Sequence, residues 1–139
     1  MANLVKTGLL NLEPPDQEEF DGLLRSARTR LNDALKTELA LESRFTLAYD
    51  AGHSLALAAL RWHGYRPAKK RYIVFQTLEP TLRLENSKWR LLDLCHNKRN
   101  VAEYEGHLEV DERLVSDLIA VTEEVLRRVE RLGPVVPRG

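Results

Sequence analysis

The sequence of 139 residues holds a single cysteine, Cys95, so no disulfide can form within the chain and a disulfide scaffold is excluded. Glycine and proline are scarce, at seven and six, and 43% of the residues are hydrophobic, which excludes collagen-like and disordered chains. Neither sign of charge is in surplus, because 21 basic residues face 21 acidic ones. Overall attraction to a polyanion or an anionic membrane is therefore not implied. The start, Met1-Ala2-Asn3-Leu4-Val5-Lys6, lacks the basic region and apolar core of a secretory leader. The most apolar stretch, Phe45 to Trp62, is interrupted by Asp50 and His53 and is rich in alanine. It reads as a buried helix, not as a membrane span. Phosphate-binding glycine loops and a nucleophile elbow are missing. The four histidines never pair on adjacent turns in a metal-ligand pattern, so no metal or cofactor is expected. These absences leave one cytoplasmic domain, long enough to bury about two thirds of its unfolded surface.

The charge that is present is unevenly placed. Residues 51 to 102 carry ten basic groups against three acidic ones, and no acidic residue occurs from Ala51 to Leu78. Such segregation can give a neutral protein a basic surface suited to a polyanion. The alternative is that the acidic helices fold back and neutralise it.

Punctuation and periodicity predict an all-α, single-domain antiparallel bundle of about five helices over residues 16–132. An irregular leader (1–15) precedes it and a flexible tail (133–139) follows. Asp16 caps the first helix, whose apolar stripe is Phe20, Leu23, Leu24, Ala27, Leu31, Ala34 and Leu35. The second helix, Glu42 to His63, is apolar on nearly every face and therefore central, and Gly64 ends it. A third segment, Lys69 to Glu79, stops before Pro80 and opens with three basic residues. Cations at a helix start oppose the macrodipole, which an anionic partner would explain. Ser87 caps a fourth helix that runs to about Tyr104 and is closed by Gly106. Asp111 caps the fifth, which ends at Gly133. Cys95 falls on an apolar stripe and reads as core.

The fourth helix concentrates the polar chemistry. His96, Arg99 and Glu103 lie along one line of it, and His96, Asn100 and Tyr104 along its neighbour, both close to the packing stripe. An intrahelical Arg99–Glu103 pair with ordinary neighbours is the bland alternative. Arg66, Lys69, Lys70 and Arg71 can supply phosphate contacts, and Tyr65, Tyr72 or Tyr104 can stack on a base. A solvated helix start is the competing reading of that cluster.

The run Leu91-Leu92-Asp93-Leu94-Cys95-His96-Asn97-Lys98-Arg99-Asn100-Val101-Ala102-Glu103-Tyr104 resembles the signature helix of HEPN domains (higher eukaryotes and prokaryotes nucleotide-binding). The earlier order is similar too: an alanine-rich helix with Phe45, Tyr49 and Ser54, then Gly64-Tyr65-Arg66-Pro67, then a short helix with Phe75. The resemblance spans about residues 20 to 132. It implies a small helical bundle, commonly a homodimer. In many members it implies a metal-independent ribonuclease of toxin–antitoxin or phage-defence systems, often encoded with a minimal nucleotidyltransferase. The family motif is an Arg, commonly followed by a polar residue, with a His four to six places after the Arg. Arg99-Asn100 matches its start, but Tyr104 holds the fourth place, Glu105 and Gly106 the next two, and His107 the seventh.

Metal-free RNA cleavage needs a base for the 2′-hydroxyl, an acid for the leaving oxygen and a cation on the phosphorane. A tyrosine is ionised only about one part in a thousand at pH 7, so it donates but is a poor base. The candidate catalytic set is Arg99, Asn100, Tyr104 and His96, with His107 as a substitute if the helix end turns inward. The expected partners are a second copy of the chain, RNA or a nucleotide, and a nucleotidyltransferase. The alternative function is a non-catalytic interaction protein whose basic face docks such a nucleotidyltransferase, with Arg99 binding its nucleotide or a carboxylate.

Overall fold

The twenty-two residues from Leu41 to Trp62 form a helix with eleven buried side chains or glycines distributed around its circumference. A helix apolar on all sides can satisfy itself only by being surrounded. Here it is packed by the helices Gln17–Ala34 and Glu112–Glu130 and more lightly by Asn86–Glu105. The structure, a computed structural model, describes residues 1–68 and 74–136. In chain order these hold α1 (Ala2–Lys6), β1 (Leu10–Leu12), α2 (Gln17–Ala34), α3 (Leu41–Trp62), β2 (Tyr65–Pro67), α4 (Leu78–Leu82), α5 (Asn86–Glu105) and α6 (Glu112–Glu130). The fold is an all-α bundle with one small antiparallel strand pair, β1 against β2. No helix among the described residues is long and apolar enough to cross a membrane.

The flanking helices obey their sequence patterns. On α2 the buried residues are Phe20, Leu24, Ala27, Leu31 and Ala34, and Asp16 caps the helix by accepting from the Glu18 N–H at 3.0 Å. Asp111 caps α6 by accepting from the Leu114 N–H at 2.8 Å. Both caps satisfy an orphan donor of the first turn. Among these helices α5 is the exception, with only Leu92 and Cys95 buried. It meets α3 at Gly52, where an added Cβ would stand 3.3 Å from Leu92 Cδ2. The missing side chain is what lets the two polar faces described below come together.

Four expectations are corrected. The leader is not irregular, since it forms α1 and β1 and is tied to the body by Arg61, which is 1% exposed. That guanidinium donates to the carbonyls of Glu13, Pro14 and Tyr65 and pairs with Glu19 at 2.5 Å. The start of the tail is also pinned, because Trp62 Nε1 donates to the Gly133 carbonyl and the Val135 N–H donates to Gln17. Pro80 does not end a helix but sits third in α4, within the first turn, where its missing N–H costs nothing. Of the segment read as helix from Lys69, residues 69–73 lie outside the described residues, and 74–77 form turns. At α5 the N-cap is Glu85, not Ser87, and its side chain makes no cap bond. The Glu85 carboxylate pairs instead with Lys88 and Arg128.

These ion pairs set an acid limit on the fold. Hydrogen bonds from Lys88, then Arg128, pull Glu85 down to about 2. Arg66 lowers Glu13, and on Glu19 the upward push of burial is outweighed by hydrogen bonds from Arg61 and Arg66. A carboxyl whose value is depressed in the folded state stabilises that state above its ordinary value and ceases to do so as pH falls through the depressed one. Stability is therefore expected to be level above the ordinary value of 4.5 and to decline from there toward pH 2. Urea-unfolding midpoints measured across that range check this. A flat profile down to pH 2 would contradict the network.

Candidate functional site

Two polar faces meet beside the core. On α3 the positions Asp50, His53 and Ser54 are spaced by three and four, so they project from one side, with Tyr49 one turn before His53. On α5 the corresponding side carries His96, Arg99, Asn100 and Glu103. With Arg30 from α2 they enclose an open cavity of about 470 Å³. Of the candidate set Arg99, Asn100, Tyr104 and His96, the cavity is lined by His96, Arg99 and Asn100.

Each side chain is held. Arg99 Nη1 donates to Asp50 Oδ1 at 3.0 Å, and its guanidinium carbon lies 4.9 Å from the centre of the Tyr49 ring. The pair is not sealed from water, as the Arg99 side chain is 42% exposed and that of Asp50 is 32% exposed. The bland alternative of an intrahelical Arg99–Glu103 pair is thus not what forms, because the ion pair of Arg99 crosses from α5 to Asp50 of α3. Tyr49 Oη lies 2.6 Å from His96 Nδ1, and Asn100 Nδ2 lies 3.2 Å from His96 Nε2. A neutral imidazole has one N–H and one lone pair. With the Asn100 amide donating to Nε2, the proton sits on Nδ1 and is donated to Tyr49 Oη. The Nε2 lone pair then faces the cavity side of α5.

Tyr49 belongs to the core as well as to the site. It is 2% exposed, stacks on Phe45 at 6.4 Å between centroids and meets Phe75 edge-on at 5.7 Å. Burial pushes its phenol up to about 12 against the opposing pull of Arg99. It therefore keeps its proton and orients His96, and it is no base. Cys95 is fully buried and burial pushes its thiol up to about 12, which makes it inert packing as expected.

Other expected residues lie elsewhere. Tyr104, assigned to the catalytic set, is 92% exposed and does not line the cavity, because the α5 line that carries it turns outward in the last turn. His107 does not turn inward either, and it borders a separate depression with Leu94, Val101 and Glu109. Arg66 is committed to Glu13 and Glu19, each at 2.6 Å, in the cluster that anchors the leader. Lys69, Lys70, Arg71 and Tyr72 lie outside the described residues. The neutralising alternative for the basic segment is realised at Arg61, Arg66, Lys88 and Arg99, all of which pair with carboxylates.

Sequence reasoning missed Arg30, Asp50, His53 and Ser54 as members of the site. The signal was available for three of them as a polar patch at helical spacing in an otherwise apolar helix. Arg30 carried none, being one of several polar residues on α2. Its guanidinium is braced by a hydrogen bond to Ser26. The cavity offers two guanidinium groups, two imidazoles, an amide, the Ser54 hydroxyl and the Tyr49 phenol, balanced by Asp50 and Glu103. Such a set can hold one phosphoryl or carboxylate group in bidentate fashion and move protons beside it. Among known proteins, no family model and no curated sequence matches this chain.

Proposed function

We propose that the chain is a HEPN-type, RNA- or nucleotide-binding component of a cytoplasmic toxin–antitoxin or defence system, with metal-independent ribonuclease chemistry at Arg99. The observation that carries this reading is the convergence of Arg99, His96 and Asn100 with Arg30 on one water-accessible cavity. Asp50 supports it further. A carboxylate on Arg99 marks where an oxyanion binds, and a phosphodiester competes for the same guanidinium. Arg99 is then a phosphorane-stabilising group and His96 a proton acceptor, while Asn100 holds the imbidazole's lone pair until substrate arrives. The test is cleavage of generic RNA in EDTA by the wild type, Arg99→Ala and His96→Ala proteins. Undiminished cleavage by the Arg99→Ala protein removes the site.

The reading includes a homodimer, and an exposed apolar pair on α5 supports it. Opposite the cavity side this helix exposes Leu94 and Val101, 48% and 50% accessible and two turns apart. A Val101→Glu substitution is expected to convert a dimer to a monomer in light scattering after gel filtration. An unchanged mass would place the dimer contact elsewhere.

One observation favours the second reading, a non-catalytic protein that binds a minimal nucleotidyltransferase. Tyr104 presents its hydroxyl to solvent at the end of α5, where a partner's active site can reach it. Co-purification with such an enzyme, an added nucleotide mass and loss of that mass in Tyr104→Phe would support it. An unmodified mass after co-expression would remove it.

A further inference from the structure

We infer that His53 of α3 is the second proton-transfer group of the cavity, the general acid that the sequence after Arg99 does not provide. The inference rests on the ribonuclease reading above and names a catalytic residue that reading leaves unfilled.

Transesterification at a phosphodiester requires two proton transfers. Attack and departure occur on opposite sides of phosphorus, so the two groups must come from different walls of the cleft. His96 stands on the α5 wall. Its Nδ1 is engaged by Tyr49 and its Nε2 by the Asn100 amide, an N–H in the place that a substrate hydroxyl would take. Tyr104 and His107 are outside the cavity. The other imidazole that lines it is His53, on the α3 wall.

Shared neighbours bring the two rings together. Phase relative to Tyr49 puts His53 one turn along α3, with 6.5 Å between their ring centroids. Phe75 is 6.0 Å from His53 and 6.1 Å from His96, and Tyr49 is 6.1 Å from His96. The two imidazoles therefore flank the same buried pair of aromatic rings, and Arg99 sits over the Tyr49 ring between the helices. Rings fixed by packing give proton-transfer groups a defined position.

The step balances as follows. His96 Nε2 takes the proton of the 2′-hydroxyl as O2′ forms its bond to phosphorus. The phosphorane charge is met by Arg99. The bond from phosphorus to O5′ breaks, and the leaving O5′ receives a ring proton from His53, which enters the step as the imidazolium and leaves it as the neutral imidazole. The products are a 2′,3′-cyclic phosphate and a 5′-hydroxyl end, and the two imidazoles regain their starting states by exchange with water.

The experiment compares wild type, His53→Gln and His96→Gln on two substrates in EDTA. One is RNA, and the other is a ribonucleoside 3′-(4-nitrophenyl phosphate), whose leaving group departs as a phenolate without needing a proton. His53→Gln is expected to lower kcat on RNA by about 10²- to 10⁴-fold and on the aryl ester by less than about tenfold. His96→Gln should lose activity on both. Equal losses on the two substrates for His53→Gln indicate a packing or binding function and overturn the inference, as does RNA cleavage at the wild-type rate. Unfolding midpoints verify that each variant folds, and His53→Asn takes the same test if the glutamine variant does not. A wild type that cleaves neither substrate overturns both the inference and the nuclease reading. RNA retention that is lost in Arg99→Ala would then leave the binding reading standing.

Discussion

Replacing Arg99 with alanine is expected to slow RNA cleavage by about 10²- to 10³-fold, the usual cost of removing one group that stabilises developing oxyanion charge. The loss should fall on kcat as well as on kcat/KM, because the guanidinium gains most when charge accumulates on the phosphorane. RNA binding should weaken too, with the salt dependence flattened by about one ion per lost phosphate contact. Asp50→Asn works in the opposite direction. In the free protein Asp50 occupies Arg99 Nη1 at 3.0 Å, and substrate must displace it. Neutralising that carboxylate is expected to tighten RNA binding and lower KM. A filter-binding titration at two salt concentrations reads both variants. Weaker binding in Asp50→Asn would show that the carboxylate orients Arg99 for substrate instead of competing for it.

Arg61→Ala is expected to destabilise the fold by about 3 kcal/mol, near the lower end for breaking a buried ion pair. The guanidinium is 1% exposed and serves three backbone carbonyls as well as Glu19. Removing it leaves those carbonyls without their donor and Glu19 with one partner fewer, and the unmet polar groups dominate the cost. The figure is held low because the Glu19 side chain retains 27% exposure and Arg66 still pairs with it. Urea unfolding measures the change. Glu19→Gln should cost less in the Arg61→Ala background than in the wild type, since the two residues share one interaction. Equal costs in both backgrounds would show that they act independently. Because Arg61 fastens residues 13 and 14, the variant should also expose the leader to proteolysis ahead of the bundle.

The exposed face of α5 and the cavity face lie on opposite sides of one helix, which explains its unusual pattern. A helix with only Leu92 and Cys95 buried in a bundle is held weakly by its own chain. Its exposed aliphatic groups, Leu94 and Val101, need a partner if they are to be covered, and its polar groups on the other side are held by α3. The periodicity of this sequence blurred the two faces into a single polar helix near a packing stripe.

By itself the sequence determined the bundle. The stripes of α2 and α6, the caps Asp16 and Asp111, and the stop at Gly106 are local properties, fixed by side chains within one or two turns. It also selected His96, Arg99 and Asn100, because polar residues beside a buried stripe stand out within one helix. Only the tertiary structure decided who their partners are. Asp50, Tyr49 and His53 lie more than forty residues away in sequence, and nothing in the spacing of α5 says which face of α3 will meet it. The same holds for Arg61 and the leader. A buried guanidinium in an apolar helix looks like an ordinary helix-end cation until carbonyls from residues 13 and 14 arrive to satisfy it. Tyr104 shows the converse, since its spacing from Asn100 is right, yet Glu103 of the same turn lines the cavity while Tyr104 points to solvent. Local periodicity fixes a residue's angle around its own helix, whereas burial and pairing depend on what chain packing brings to that angle.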